Sequence, residues 1–252
     1  MSENQLKYAI EINKLQKIYS SKKAVDGISL KVEEGSLFSL LGVNGAGKTT
    51  TIRMLTGLSK PTSGDACVLG HSIMRELEKV KDISNVSTQE TAVAPNLSVE
   101  ENLMFMAQIY GMRKEAAKTR TQEVIDQFAL QEIRKQRAGT LSGGWQRRLS
   151  IAMALITNPK VLYLDEPTLG LDVLARKELW RIIEALKGTI TIVLTTHYME
   201  EAENLSDKVA VMVAGRVKAC GTVQELKLLT GKDTLEDAFV AIAEGEVAVC
   251  EA

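Results

Sequence analysis

The chain has 252 residues, enough for one large domain with a substantial core, and its 45% hydrophobic and 25% charged residues are ordinary globular proportions. A formal net charge of −1 gives no electrostatic footprint for a nucleic-acid binder, which should be basic on at least one face. Three scattered cysteines (Cys67, Cys220, Cys250) and two histidines exclude a disulfide framework or a zinc site as the organising principle; Cys67 and Cys220 read as small hydrophobes in strands, in a reducing compartment.

The opening stretch, MSENQLKYAIEINKLQKIYSSKK, lacks the unbroken apolar segment of a signal peptide. Nowhere does the sequence approach the ~18 consecutive apolar residues of a membrane-spanning helix. Work at a membrane would therefore require docking onto another chain. Ile10 and Ile12 alternate as in a strand, as do Ile28, Leu30 and Val32, and Ser36 to Leu41 is an apolar strand running into a glycine-rich loop. Thr49 to Gly57 reads as a helix with Ile52 and Leu55 inward.

From about Ser98 to Leu155 the pattern is helical. Ser98 and Glu101 form a capping-box pair ahead of LMFMAQIYGM, a charged helix spans Lys114 to Phe128, and a third helix begins at Ser142. Alternation then resumes with a strand at Val161–Leu164, a helix from Asp172 to Leu186 and a strand at Thr189–Leu194. In that helix Leu179, Ile182, Ile183 and Leu186 share one buried face. Strands at Val209–Val213 and Arg216–Cys220 and two short helices follow. Strands alternating with helices predict an α/β fold with a mainly parallel sheet covered on both sides.

Gly42-Val43-Asn44-Gly45-Ala46-Gly47-Lys48-Thr49 fits G-x-x-x-x-G-K-[ST] between an apolar strand and a helix. The glycines allow successive backbone N–H groups to point into one concavity, and the helix N-terminus adds its positive dipole end. Lys48 can reach the β- and γ-phosphates, and the Thr49 hydroxyl can hold Mg²⁺. Kinases, GTPases, helicases and transporters share this loop, so it fixes a phosphate site and no more.

Val161-Leu162-Tyr163-Leu164-Asp165-Glu166 is an apolar strand ending in two acids. Asp165 suits Mg²⁺, through water, and Glu166 suits polarisation of the attacking water. Between the two elements, Leu141-Ser142-Gly143-Gly144-Trp145-Gln146-Arg147-Arg148 opens a helix with a serine and two glycines, a second exposed N-terminus suited to an anion.

With these motifs in this order, residues 8 to 242 resemble the ATP-binding-cassette (ABC) ATPases, whose signature is LSGGQ. The resemblance implies a P-loop NTPase core (about residues 1–88 and 159–252) carrying an N-terminal antiparallel β subdomain, and an inserted helical subdomain (about 90–158). It implies that Tyr19 stacks on adenine and that the phosphates lie along Gly42, Asn44, Gly45, Ala46, Gly47, Lys48, Thr49 and Thr50. Mg²⁺ would rest on Thr49, Gln89 and, through water, Asp165. Glu166 and His197 would serve catalysis with Lys48 and Gln89. Ser142, Gly143 and Gly144 would act on the ATP of a second subunit, in a homodimer or a paired paralogous cassette, with Asp172 of the Leu169-Gly170-Leu171-Asp172 loop at the interface.

The family further implies a multi-span membrane permease as partner and a place on the cytoplasmic face of the cell membrane, with no nucleic acid. THYMEEAE, TLEDAFV and the lack of an added C-terminal domain resemble the bacterial exporters of drugs, lipids or peptides. A soluble cassette ATPase acting on ribosomes or DNA is the rival reading, but it calls for two cassettes in one chain or a long coiled coil. A nucleotide-sensing module that no longer hydrolyses would be expected to lack Glu166 and His197.

Trp145 departs from the family pattern, which has Gln there; the indole donates one hydrogen bond and accepts none. Altered contacts are expected at the edge of the signature, with Gln146 as a substitute carboxamide. Leu103, Met104, Phe105, Met106, Ile109 and Tyr110 exceed one buried stripe, so they either fill the helical subdomain or line a groove for a helix of the permease. His71 reads as a surface loop residue, and Arg134, Lys135 and Arg137 as a solvated helix face.

Overall fold

Period-two alternation builds two sheets in the computed structural model, which describes residues 7–245. Strands β1 (Tyr8–Tyr19) and β2 (Lys22–Glu33) pair antiparallel, and β3 (Leu37–Leu41) runs into the glycine loop and α1 (Lys48–Leu55). Strands β4 (Ser63–Val68) and β5 (His71–Ser72) complete a four-stranded sheet of order β2-β1-β4-β5. Then come α2 (Leu77–Ile83), β6 (Ser84–Ser87) and three helices, α3 (Val99–Ile109), α4 (Lys114–Gln127) and α5 (Gly143–Leu155). Strand β7 (Val161–Asp165), α6 (Val173–Glu184), β8 (Thr191–Thr196), α7 (Met199–Leu205), the hairpin β9 (Lys208–Val213) and β10 (Arg216–Gly221), α8 (Val223–Thr230) and α9 (Leu235–Glu244) follow. The larger sheet has order β10-β9-β3-β8-β7-β6 and is parallel except for the edge strand β10.

Successive side chains on the parallel strands enter different layers. Leu37, Leu162, Leu164, Ile192 and Leu194 pack against α5 and α6 in a core continuous with α3 and α4. Phe38, Leu40, Val161, Tyr163 and Val193 face the other way, onto α1 and the antiparallel sheet. Both faces are covered, as the unbroken apolar runs require. No helix among the described residues is long and apolar enough to cross a membrane.

The capping box at Ser98 forms, with Ser98 Oγ accepting from Glu101 N and Glu101 accepting from Ser98 N. The strand expected at Thr189–Leu194 starts two residues later, because Thr189 and Ile190 still donate their N–H groups to Leu186 at the unwinding end of α6. His71 is not in a loop: it opens the edge strand β5, within reach of Glu76. Arg134, Lys135 and Arg137 do not lie on one helix face, although Lys135 and Arg137 are exposed as expected. Arg134 and Lys135 follow a short 3-10 turn and both bind the Glu100 carboxylate at 2.5 Å, fastening that turn to the start of α3. Cys250 lies outside the described residues.

Candidate functional site

The parallel sheet assembles the site by bringing the carboxyl ends of neighbouring strands together, where open α/β sheets bind ligands. Leu41, ending β3, pairs in register with Thr196, ending β8, while Asp165, ending β7, pairs with Thr195. Thus the glycine loop, His197 and the Asp165-Glu166 pair, far apart in sequence, share one edge of the sheet. Gln89 comes two residues after the adjoining strand β6.

A cleft of about 490 Å³ runs along this edge, lined by Tyr19, residues 44–50 of the glycine loop, Gln89, Glu166 and His197. Gly47 caps α1 with φ 107°, and a Cβ there would stand 2.5 Å from the Ala24 carbonyl oxygen. Only glycine fits that turn. No acidic residue occupies the first turn of α1, so its amide-rich end keeps its positive character. Tyr19 lines the cleft, its side chain partly exposed and its hydroxyl 3.2 Å from Ser59 Oγ.

Lys48 is buried at the cleft floor. Its ammonium donates to the Gly42 carbonyl at 2.7 Å and pairs with Glu166 at 3.1 Å. The other Glu166 oxygen lies 2.8 Å from His197 Nδ1, so lysine, carboxylate and imidazole form one chain. Glu166 has φ 49°, a conformation that costs a non-glycine residue of order 1–3 kcal/mol and recurs at functional sites. It is held there by its own N–H, which donates to the Thr195 carbonyl and hydroxyl. Beside it, Asp165 accepts from Thr49 Oγ1 at 3.0 Å and from Thr195 Oγ1 at 2.5 Å. Hard oxygens meeting at a phosphate loop suit a small divalent cation that takes its other ligands from phosphate and water.

The structure does not bring Ser142, Gly143, Gly144 or Asp172 to this cleft. Ser142 and Gly143 are exposed at the start of α5, where the Ser142 side chain makes no capping bond and no acid occupies the first turn. Asp172 caps α6, its Oδ1 accepting from Leu174 N and Ala175 N. Trp145 packs partly buried against the helical core with the Arg148 guanidinium stacked 4.2 Å from its ring centroid. Gln146 turns back to donate to the Leu141 carbonyl.

Arg147 is the residue that sequence reasoning passed over. Buried on α5, it donates to the carbonyls of Asp165 at 2.7 Å, Pro167 at 2.9 Å and Gln89 at 3.3 Å, and to that of Thr88. Burial pulls its pKa down to about 10, against the charges of Asp165, Glu201 and Glu166. One guanidinium so ties the signature helix to the loops after β6 and β7. The only signal was a charged residue on the inward face of α5, indistinguishable in sequence from Arg148 beside it.

On the helical side, Leu103 is core, Met104 and Met106 are partly buried against it, and Phe105, Ile109 and Tyr110 are exposed by half or more. The set is thus divided between filling the interior and covering a surface.

The ABC transporter family profile matches residues 25–169. The chain is 44% identical over 229 residues to the daunorubicin/doxorubicin resistance ATP-binding protein DrrA of Streptomyces peucetius, covering 90% of this chain and 69% of that protein. It is 39% identical over 227 residues to the linearmycin resistance ATP-binding protein LnrL of Bacillus subtilis, covering 90% and 73%. Among solved structures, an ATP-binding subunit of an ABC transporter superposes with a TM-score of 0.82 at 27% identity, covering 93% of this chain and 99% of that one.

Proposed function

The chain belongs to the ABC transporter family, as an ATP-binding subunit that hydrolyses ATP, and on that premise we propose that it is the motor of an exporter, closing with a second cassette over two ATP molecules. The observation that carries this is the separation of two anion-ready helix ends. One, at α1, sits in the cleft with Lys48, Glu166 and His197; the other, at Ser142, opens onto solvent away from it. A helix N-terminus with a free serine hydroxyl and no local acid has a use when another copy presents a phosphate to it.

In this reading adenine lies on Tyr19, and the amides of residues 42–50 and the Lys48 ammonium hold the phosphates. Thr49, Gln89 and, through water, Asp165 would hold Mg²⁺, which supplies charge neutralisation at the β- and γ-phosphates. Glu166 accepts a proton from the attacking water, and His197, held against Glu166 at 2.8 Å, faces the charge that develops on the transferred phosphoryl group. Ser142 and Gly144 of a second cassette cover the γ-phosphate, so nucleotide joins the two and hydrolysis releases them. Asp172 caps the helix that follows the interface loop and keeps that loop's exit fixed.

The membrane partner is proposed to be a multi-span permease, with this chain on its cytoplasmic face and its two subdomains moving about the Gln89 loop. Drug resistance, in the names of the relatives, supports export. The test is purification of the tagged chain from its host's membranes in mild detergent. A stoichiometric multi-span chain is the expected companion; ribosomes or DNA-repair proteins in its place would overturn the transport reading.

A further inference from the structure

Four residues after His197, the side chain of Glu201 is wholly buried on α7. One oxygen, Oε1, accepts the indole N–H of Trp180 on α6 at 3.1 Å. Around the carboxyl stand two further buried groups: Thr196, immediately before His197, and Thr168, two residues after Glu166. Thr196 Oγ1 accepts from Tyr198 N at 2.9 Å, which leaves its own proton free to donate. Among the described residues, Glu201 Oε2 and Thr168 Oγ1 are both buried with no partner at bonding geometry. Buried polar atoms are nearly always satisfied, so two orphans on neighbouring groups mark a contact that a small shift would complete.

We propose that Glu201 is a positioning residue for ATP hydrolysis: its carboxyl joins α6, the end of β8 and the loop after Glu166, and completion of a Thr168–Glu201 bond on closure locks in place the His197–Glu166 contact that the structure already shows. The inference rests on the reading of the site just given. Three segments meet at this one carboxyl, and two of them carry the side chains that form the Glu166–His197 contact. The third, α6, follows directly from the loop holding Asp172. Movement of that loop therefore reaches the His197–Glu166 pair through the shared carboxyl, and no nucleotide contact by Glu201 is needed.

Burial raises the Glu201 pKa and the Glu166 charge pushes it the same way, opposed by the neighbouring Thr196 and Thr168 hydroxyls and the Trp180 N–H.

The variants Glu201→Gln, Glu201→Leu and Thr168→Val separate this role from simple packing. Leucine leaves the buried Trp180 N–H without its acceptor, so Glu201→Leu should melt somewhat below wild type, and turnover is read well below its thermal midpoint. Turnover should nevertheless fall about ten- to a hundred-fold, the scale of a small misplacement of catalytic groups, with the KM for ATP unchanged. Glutamine, which keeps an acceptor for Trp180 and a hydrogen-bonding group beside Thr168, should restore turnover to within about threefold of wild type. Thr168→Val should fall with Glu201→Leu, and the double variant should be no slower than either single one, because both remove the same bond.

Wild-type turnover in Glu201→Leu, no rescue by glutamine, or additive losses in the double variant, each read well below the thermal midpoint, would overturn the proposal. Measuring Glu166→Gln in the same assay keeps the two readings apart. If that variant hydrolyses ATP at the wild-type rate, the site assignment fails and the role of Glu201 falls with it. If it does not, the outcome for Glu201 stands by itself.

Discussion

Replacing Glu166 by glutamine tests the central chain of charges. In the structure the Lys48 ammonium, 3.1 Å from Glu166 and buried, is shared between that carboxylate and the loop carbonyls. At an effective dielectric of about 20 the Lys48–Glu166 attraction is worth about 5 kcal/mol before desolvation is counted. Glutamine keeps the shape and a hydrogen bond to His197 but removes the negative charge, so Lys48 is released to the phosphates and repulsion of the γ-phosphate is relieved. If about a quarter of that attraction reaches the nucleotide, ATP should bind about tenfold more tightly, since 1.4 kcal/mol is a factor of ten. Turnover should fall by about 10²–10⁴-fold, the usual contribution of a positioned general base. Nucleotide titration would give the affinity, phosphate release the rate, and size-exclusion chromatography with ATP the dimer. Full turnover, or weaker ATP binding, would refute both the role of Glu166 and the competition for Lys48.

Arg147→Met removes the guanidinium that four carbonyls share and keeps the apolar stem; leaving these buried acceptors unpaired should cost about 3 kcal/mol or more, read as a lower urea midpoint. Trp145→Gln restores the family residue but loses the Arg148 stack, so stability should drop by about 1 kcal/mol; an unchanged urea midpoint would show the stack to be inert. Asp26 is drawn down from 3.8 to about 2, chiefly by Arg216, then by Lys23 and Gln16. A carboxylate depressed in the folded state stabilises it above pH 3.8 and loses that contribution as pH falls toward 2. Asp26→Asn should therefore be less stable than wild type at neutral pH, with the gap closing across that window in urea titrations at stepped pH.

Local chemistry made much of this protein readable before any tertiary information. Gly42 to Thr49 specifies its own loop because glycines and a helix start act over eight residues, and Ser98 with Glu101 specifies its own cap. The strand from Val161 to Asp165 was legible because an unbroken apolar run fits a doubly covered parallel strand. Set beside a family pattern, these segments also announced an ATPase. What remained hidden depends on register between distant strands. That Leu41 lies beside Thr196, and Asp165 beside Thr195, is decided by the order β3-β8-β7, and only this order places Lys48, Glu166 and His197 in one charged chain.

The same reason explains Arg147 and Glu201. A basic or acidic residue on a helix is by default a solvated one, and its sequence neighbours carry the same charge, so nothing local distinguishes it. Packing turned each inward among atoms contributed by three or four separate segments. By itself the sequence determined the elements and their phosphate chemistry, since those follow from backbone and side-chain preferences within a few residues. Only the tertiary structure decided which charges meet, because burial and distance belong to the folded chain as a whole.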